Sequence, residues 1–520
     1  MTMKKKYLLA AMVAMALPAA AQETYQDTKL VQNELNGTAR YVGMGGAMEA
    51  LGADLSTIST NPAGIGLFRS SQVAISGGLV AQQDATTTPS LSNNFGIHIN
   101  GDKTNASFDQ GGFVYSMRTG YKNYLNFAFN YHKSRNFDQI LTAGNKLNNA
   151  SQNKLTAMKY PYLTDYNMNA VDACYSAMLN PIKDASGKQT GLDYLNGTEF
   201  LYGQYQKGYI GSYDFNISGN INDRVFLGLT FGIHDVHYQS NSLYSENLEK
   251  ETSADAYESL KITGTGYDLK AGVIFRPIEQ SPFRIGLYVN TPVWYDLHEA
   301  AATDVSMFNS SNNKLDKGHA VDYDYKVYTP WKFGVSLGHT IDKMVAIGAT
   351  YEYADYSRID NRINDGGGYD DWGYYYDNSS SDDAMNSNTK RVLKGVSTLK
   401  LGAEVKVMPQ LSVRAGYNYV SPMFNQGGYR DGSIESPGSF YATSTDYTNW
   451  KSTNRWTCGV GYTAGKFFAD LAYQYTQTNG YFYPFMSYYD TANSSNNVIV
   501  DATKVNFKRN QVLLTLGYKF

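Results

Sequence analysis

Apolar and polar side chains alternate along many short runs of the chain between Gln72 and its last residue. In the last run, one face carries only apolar or aromatic side chains: Val512, Leu514, Leu516, Tyr518 and Phe520. Successive side chains of a β-strand point to opposite faces, so this alternation predicts strands with one apolar and one polar face. The chain after Gln72 is therefore expected to be all-β.

Runs with the same phase recur upstream. The clearest apolar faces lie within residues 125–131, 225–233, 269–275, 283–289, 345–353, 399–405 and 467–475. Weaker runs of the same kind lie near 72–81, 108–118, 209–220, 320–338, 411–420 and 450–461. They bring the number of predicted strands to about fourteen, an even number as in single-chain bacterial barrels. The polar faces carry Gly, Ser, Thr, Asn, Gln and charged residues, as the inner wall of a wet barrel would.

The connections between these runs alternate in length. Short links are predicted at 119–120, 220–224, 276–282, 340–343, 407–410 and 463–466. Long connections are predicted at 84–107, 137–207, 240–256, 301–319, 360–390, 421–449 and 480–503. Outer-membrane barrels alternate short periplasmic turns with long external loops, so we predict a transmembrane antiparallel β-barrel with both ends at the short-turn side.

Two of the long connections have a character of their own. Residues 137–207 are mixed in composition, with a helix indicated near 173–178, and are expected to cap the outer mouth. Residues 360–390 are rich in Gly, Asp and Tyr and are expected to form a mobile external loop.

The composition is compatible with a barrel and excludes a helical membrane protein. Mean hydropathy is −0.42, and no apolar run near twenty residues follows the first residues. Barrel strands keep half of their side chains polar, so their hydropathy stays low. The 45 Tyr and 48 Gly suit interfacial aromatic girdles and tight turns.

The first residues are typical of a secretory signal peptide. Residues 1–21 contain three lysines, an apolar run over 7–17 and the cleavage pattern Ala19–Ala21. Without these lysines the formal net charge of −3 becomes −6, which disfavours nucleic acid as a partner. Cys174 and Cys458 are expected to lie far apart, so we predict no disulfide between them.

The segment that would follow the signal peptide, residues 22–70, is different from the strands. It is rich in Gly and Ala, and between 36 and 68 its only charged residues are Arg40, Glu49 and Asp54. Asn61-Pro62 followed by Ala63-Gly64 is a turn signal, because proline fixes its own φ and glycine admits positive φ. Small side chains let backbones approach closely, so this segment is expected to pack inside an enclosure.

The run Gly37-Thr38-Ala39-Arg40 to Gly46-Ala47, followed by Asn61-Pro62-Ala63-Gly64, resembles the N-terminal plug of the FadL/OMPP1/TodX family of outer-membrane transporters for hydrophobic compounds. The resemblance implies a fourteen-stranded barrel (71–520) with the plug (22–70) in its lumen. The last strand also resembles the signal that bacterial barrel-assembly machinery recognises, here carried by Tyr518 and Phe520. We therefore expect export to the outer membrane of a Gram-negative cell.

Two sets of residues are candidates for function. The plug or gate would use Arg40, Gly45, Gly46, Asn61, Pro62 and Ala63. Ligand in the lumen would meet inward-facing cations and rings: Lys270, Arg284, Lys332, Arg414, Phe226, Tyr288 and Phe468. An alternative is that the inward charges pair with one another and only fill a wet lumen.

Other chemistry is not indicated. His234 and His237 are three apart on a strand, so they point to opposite faces and cannot share one metal ion. Asp365, Asp370 and Asp371 lack the spacing of a calcium loop. Since no nucleophile elbow frames a serine and no nucleotide motif is present, we expect neither an enzyme nor a cofactor.

The expected function is passive uptake of a hydrophobic or amphipathic small molecule, such as a long-chain fatty acid or an aromatic compound. The alternatives are a scaffold or shuttle in protein secretion and surface attachment, a haemin-binding receptor, and a polar porin. An apolar tunnel meeting the plug would favour transport, whereas a lumen filled with paired charges would favour a scaffold. The family ties a sideways exit to a kink in the third strand, which here has neither Gly nor Pro, so the place of such an exit is left open.

Overall fold

The computed structural model describes residues 23–32, 34–91, 96–164, 167–309 and 314–520. The predicted signal peptide lies outside the described residues. Among the helices that are described, none has the length and apolar character needed to span a membrane.

Most of the described chain is strand. The strands are β1 (Gln72–Gln83), β2 (Thr104–Arg118), β3 (Tyr124–Asn136), β4 (Gln139–Ala150), β5 (Pro181–Lys183), β6 (Gln189–Leu192), β7 (Gly197–Ile221), β8 (Val225–Leu248), β9 (Thr252–Phe275), β10 (Arg284–Asn290), β11 (Trp294–Phe308), β12 (Lys314–Tyr328), β13 (Lys332–Ile341), β14 (Val345–Asp355), β15 (Asp360–Tyr369), β16 (Tyr375–Ser381), β17 (Gly395–Lys406), β18 (Leu411–Val420), β19 (Tyr447–Ala464), β20 (Phe467–Tyr483) and β21 (Thr503–Lys519). The α-helices are α1 (Thr24–Val31), α2 (Ala39–Gly43), α3 (Gln152–Lys159), α4 (Ala170–Met178), α5 (Asp383–Val392) and α6 (Pro437–Phe440).

Fourteen of these strands close into an antiparallel barrel, which confirms the predicted fold class. The ring runs β1, β2, β3, β7, β8, β9, β10, β13, β14, β17, β18, β19, β20 and β21, and it closes where β1 pairs with β21. The predicted apolar faces point outward, as Leu229 (49% exposed), Leu471 (45%) and Leu514 (45%) show. An apolar wall of this kind is built to face hydrocarbon.

The sheet continues above the barrel on the long-connection side. Strands β7, β8 and β9 have 25, 24 and 24 residues, whereas about 9–11 residues cross a bilayer. The β11–β12 hairpin lies on the upper part of β9, and β4 on the upper part of β7. Most described residues of 240–256 belong to the β8–β9 hairpin, and most of those of 301–319 belong to the β11–β12 hairpin. The prediction of loops at these two places is therefore wrong.

Two further predictions need correction. Residues 320–338 were expected to form one strand, but β12 ends at Tyr328 and β13 begins at Lys332, because Pro330 lies between them and lacks the N–H that a ladder needs. Residues 360–390 were expected to form a mobile loop, but they form the β15–β16 hairpin and most of α5. The helix indicated near 173–178 is present as α4.

The plug segment, residues 23–70 of the described chain, consists of α1, α2 and two 3-10 helices (Leu55–Ser59 and Pro62–Leu67). Glycines at 43, 45 and 46 limit α2 to five residues, since each glycine costs a helix about 1 kcal/mol relative to alanine. Helix α1 packs against α5 on the long-connection side of the barrel.

Candidate functional site

The plug segment lies inside the barrel and touches its wall around the circumference. Helix α2 contacts β18, β19, β20 and β21, and the two 3-10 helices contact β2, β3, β7, β8 and β9. Between them, residues 44–51 reach β13, β14 and β17. The bore is therefore occupied at this level.

A belt of glycines on the inner wall makes room for the plug. Their common feature is that an added Cβ would collide with plug atoms between residues 44 and 63: Gly228, Gly272, Gly338, Gly348, Gly402 and Gly416. Several of these glycines are direct neighbours across the ladder, as in the row Gly338, Gly348, Gly402 and Gly416. The plug backbone thus rests on the backbone of the wall.

Arg40 is bound by a carboxylate of the wall. Its Nε and Nη2 donate to Glu404 at 3.0 and 3.1 Å, and its Nη1 donates to the carbonyl of Ala53 at 3.2 Å. Glu404 also accepts from Arg414, which in turn donates to Asp470. A buried charge without a partner would cost several kcal/mol, so this chain of ion pairs fixes α2 against the wall.

A second ion pair joins the plug to the same wall strand, β17. Glu49 is fully buried and accepts hydrogen bonds from Lys400 Nζ at 2.7 Å, Thr350 Oγ1 at 2.7 Å and Tyr41 at 3.0 Å. Two of these donors belong to the wall and one to the plug. The carboxylate therefore joins plug and wall in one hydrogen-bonded group.

The Asn61-Pro62 turn starts the second 3-10 helix of the plug. The Asn61 side chain caps this helix by accepting from Ala63 N at 3.2 Å, and its Nδ2 donates to the carbonyl of Glu49 at 3.0 Å. Pro62 occupies the first turn, where its missing N–H is not needed. The turn is held by the wall as well, since Ser218 of β7 donates to the Pro62 carbonyl at 2.9 Å.

Above the plug the lumen contains a chamber of about 170 Å³. Plug residues form its floor, among them Glu34, Asn36 and Ser56. Apolar side chains line part of its wall: Phe137, Val396, Val420, Met423, Trp450 and Phe507.

Three arginines and one glutamate form one group of charges in the chamber. The other charged residues that line the chamber are Lys332, Lys400, Lys451, Asp138 and Glu352. Arg509 donates to Glu34 at 2.6 Å, Arg135 lies 3.5 Å from the same carboxylate, and Arg455 donates to Asn418 at 2.8 Å. Burial would raise the pKa of Glu34, but Arg509 and Arg135 outweigh it and hold this pKa below its ordinary value. Among the described residues, no partner is found for Nε of any of the three arginines or for Nη1 of Arg509.

No family model matches the chain, and no curated protein matches it in sequence. Solved structures do match over 94% of this chain and 99% of theirs: the Pseudomonas putida toluene transporter TodX (12% identity, TM-score 0.50), a Pseudomonas aeruginosa FadL homologue (11%, 0.49) and the Ralstonia pickettii toluene transporter TbuX (14%, 0.48). The chain has the fold of the TodX barrel. At these identities the likeness shows the fold alone.

Within this barrel, the predicted plug residues are all in contact with the wall or shape the plug. Gly45 and Gly46 have φ of +62° and +79°, a region that favours glycine, and Gly45 packs against the backbone of β18. Ala63 is fully buried and packs against Phe226.

The predicted lumen residues separate into two groups. Lys332 lines the chamber, and Lys270 lines a smaller cavity of about 60 Å³, where it donates to Asp268 and Asp214 at 2.6 and 3.0 Å. The other five touch the plug or its ion pairs. Arg284 donates to the carbonyl of Leu51 at 2.6 Å, and Tyr288 to Glu352 at 2.8 Å.

The remaining members of that second group are Arg414, Phe226 and Phe468. Arg414 belongs to the ion pairs described above, and Phe468 packs against the plug cluster that contains Leu55 and Ile58. His234 faces the lumen, 3.2 Å from Asp268, whereas His237 is on the outer face. The two histidines do lie on opposite faces, as their spacing predicts.

Sequence reasoning missed the chamber arginines, the glycine belt and an irregularity in the third strand. The β3–β7 ladder shifts register between Lys133 and Arg135, although β3 has neither Gly nor Pro. Ser134 lies at this bulge, and its carbonyl accepts from Glu34 N of the plug at 3.0 Å. The glycine belt could have been predicted, because glycine recurs at inward-facing positions of several strands. Nothing in the spacing of the residues indicated the chamber arginines.

Proposed function

We propose that this protein is an outer-membrane channel through which hydrophobic or amphipathic small molecules pass passively. In this proposal the ligand is held in the chamber, the plug blocks the bore beneath it, and a shift of the plug releases the ligand. Transport is diffusive, since the sequence offers no nucleotide motif. The toluene transporter TodX has the same fold, which supports the proposal.

The observation that carries the proposal is the unbalanced charge of the chamber. The lining has six cations, Arg135, Lys332, Lys400, Lys451, Arg455 and Arg509, and three carboxylates, Glu34, Asp138 and Glu352. Each of the three arginines keeps at least one buried nitrogen without a partner in the described chain. A guanidinium binds a carboxylate through paired N–H groups. Because apolar side chains line the same chamber, we expect a monoanionic amphiphile, with its headgroup on the arginines and its tail on the apolar wall.

The test measures binding of two probes of equal chain length, dodecanoate and dodecanol, to the purified barrel. The double variant Arg455→Gln/Arg509→Gln is expected to bind dodecanoate at least tenfold more weakly and dodecanol unchanged. Arg118→Gln/Arg358→Gln, at two exposed positions that do not line the chamber, is the matched control and should bind both probes normally. Equal losses for both probes, or no loss for dodecanoate, would contradict the proposed headgroup site.

Gating by the plug needs a separate experiment. Uptake of dodecanoate by whole cells is compared between the parent chain and a chain that lacks residues 36–68. We expect the deletion to change the rate of uptake, because the ion pairs and the floor of the chamber are lost. Unchanged uptake would remove the plug from the mechanism.

A second candidate function, a scaffold or shuttle in protein secretion, is favoured by a different observation. The lumen around the plug holds paired charges, such as Arg40 with Glu404 and Lys400 with Glu49. These pairs hold the plug in place, which suits a static support for the large sheet above the barrel.

Assembly is a further proposal: Tyr518 and Phe520, at the end of β21, would present the signal that barrel-assembly machinery recognises.

A further inference from the structure

The short-turn end of the barrel carries an excess of cations. Most of its turns have at least one lysine or arginine within or beside them: Arg118, Lys122, Arg276, Lys343, Lys406 and Lys466. The acidic residues of the same turns are Asp223, Glu279 and Asp342. We call this set of turns the short-turn rim.

Most of the rim acids do not neutralise these cations. Asp223 pairs with Arg69 at the end of the plug segment, and Glu279 lies 3.6 Å from Lys122 with both side chains exposed. Over the part of the chain that the structure describes, no ion pair forms at Lys343, Lys406 or Lys466. The rim therefore presents a net positive charge to its surroundings.

Apolar side chains accompany the cations in the same turns. Each is more than half exposed: Tyr121 (85%), Ile278 (57%), Met344 (56%), Met408 (60%), Phe467 (65%) and Phe520 (67%). The apolar outer wall of the barrel ends at this level, so the rim lies where hydrocarbon meets lipid headgroups. Lysines at such a boundary extend their charged ends into the headgroup layer.

An apolar groove on the outer wall reaches the rim beside Lys466. It has a volume of about 450 Å³ and is lined by β1, β19, β20 and β21. The small side chain of Ala469 lies in its floor, and Ile75, Phe467 and Leu516 rise around it. Lys466 Nζ lies 5.9 Å from the centre of the Tyr518 ring at the end of the groove.

We propose that the short-turn rim binds an anionic glycerophospholipid. One acyl chain lies in the groove, and the phosphate rests against Lys466, with the other rim lysines attracting further lipids of the same charge. A lipid fits this surface because its apolar and anionic parts match an outward-facing groove and the unpaired cation at its end. An acidic periplasmic protein would match only the charge.

The test measures which lipids the purified full-length barrel retains from mixed micelles of detergent with phosphatidylglycerol and phosphatidylcholine. The rim variant is Lys343→Gln/Lys406→Gln/Lys466→Gln. Its control, Lys183→Gln/Lys188→Gln/Lys317→Gln, removes the same charge from exposed positions above the barrel. We expect the rim variant to retain at least threefold less phosphatidylglycerol relative to phosphatidylcholine, and the control to match the parent.

Two further measurements make the result specific. Ala469→Phe fills the groove without changing charge and should lower the amount of both lipids that remains bound. Raising the salt concentration should weaken retention of phosphatidylglycerol by the parent, because salt screens exposed charges. An equal lipid ratio in the rim variant and the parent, or an equal loss in the control, overturns the proposal. Neither readout depends on transport, so the outcome is separate from that of the channel proposal.

Discussion

Single buried charges decide how firmly the plug is held. Glu49 lies at the centre of one such contact, because Lys400 has its main ion-pair partner there and Glu352 is 3.8 Å away. At the level of the plug, water is displaced by packed side chains, so an ammonium without its carboxylate loses most of its solvation. The stability of the docked plug should therefore respond strongly to either member of this pair.

We predict that Glu49→Gln destabilises the docked plug by roughly 3–5 kcal/mol, the cost of removing one partner of a buried ion pair. Amide hydrogen exchange of residues 36–68 measures this change. The double variant Glu49→Gln/Lys400→Met should recover much of the loss, since no buried charge is then left alone. A double variant as unstable as the sum of the single variants would contradict this account.

Asp27 makes the docking of helix α1 onto the rest of the protein depend on pH. Its carboxyl group is 1% exposed, and neither oxygen has a hydrogen-bond partner in the described chain. Burial, and then the carboxylates of Glu23, Glu299 and Asp382, raise its pKa well above the ordinary value of 3.8. The docked helix therefore keeps a proton that the undocked helix loses.

The sign of this effect follows from proton linkage. Docking of α1 takes up a proton, so its free energy becomes less favourable as pH rises above about 4, by up to about 1.4 kcal/mol per pH unit until the pKa of docked Asp27 is reached. Exchange protection of residues 24–31, corrected for the intrinsic rate at each pH, should fall over this range. Asp27→Asn should reduce the slope, with Glu23 and Glu299 supplying the part that remains, and should increase protection at neutral pH. Equal slopes in both proteins would show that Asp27 is ionised when docked.

At the scale of elements, the plug packs so closely against the barrel wall that the wall strands need glycine at the points of contact. The strands β13, β14, β17 and β18 each place a glycine of the belt against the plug, and none of these sites has space for a methyl group without movement of the backbone. Gly348 is the clearest case, since an added Cβ would lie only 1.9 Å from the Ala47 carbonyl oxygen.

We predict that Gly348→Val displaces the plug while the barrel still closes, because the valine side chain takes the place of the Ala47 carbonyl. Overpacking typically costs about 1–3 kcal/mol. Limited proteolysis within residues 36–68 should become at least tenfold faster, and the apparent unfolding temperature of the barrel should change little. Gly191→Ala, where the nearest atom would be 3.8 Å away, is the control and should not alter proteolysis. A plug as protected as in the parent would show that the wall accommodates the larger residue.

The sequence predicts the wall of the barrel far better than its upper part. Lipid requires an apolar residue at every second position, and this requirement is visible in runs such as Val225–Ile233. Above the membrane the outward face of a strand is polar and apolar side chains point inward instead, as Tyr238, Tyr244 and Leu248 of β8 do. The apolar face therefore changes sides, and the run with one constant phase ends although the strand continues. The strand ends were therefore underestimated on that side only.

At the scale of the whole molecule, the plug was predicted from its own residues but its contacts were not. The partners Arg40 and Glu404 are 364 positions apart, and the chamber combines Glu34 with arginines of β3, β19 and β21. Such contacts depend on how the ring closes, which alternation in single strands does not determine. The charged residues at inward-facing positions of the strands indicated a charged lumen, but they did not show which charges pair with each other.

The molecule also divides into a closed barrel and an extension of the same sheet above it, and this division distinguishes the two candidate functions. The β15–β16 hairpin belongs to the upper part, since outside itself it pairs only with β12, through the three residue pairs Lys326–Arg362, Val327–Asn361 and Tyr328–Asp360. Replacing residues 364–379 with a short turn should leave barrel closure, the plug ion pairs and the chamber intact. We therefore predict that the variant has the unfolding temperature of the parent and that its binding and uptake of dodecanoate are unchanged.

If uptake is lost while the barrel remains folded and the plug remains protected, the path through the chamber depends on the upper sheet and the channel proposal must be revised. If neither the parent nor the variant takes up dodecanoate, and the hairpin is needed to retain a protein partner on the cell surface, the scaffold function is favoured.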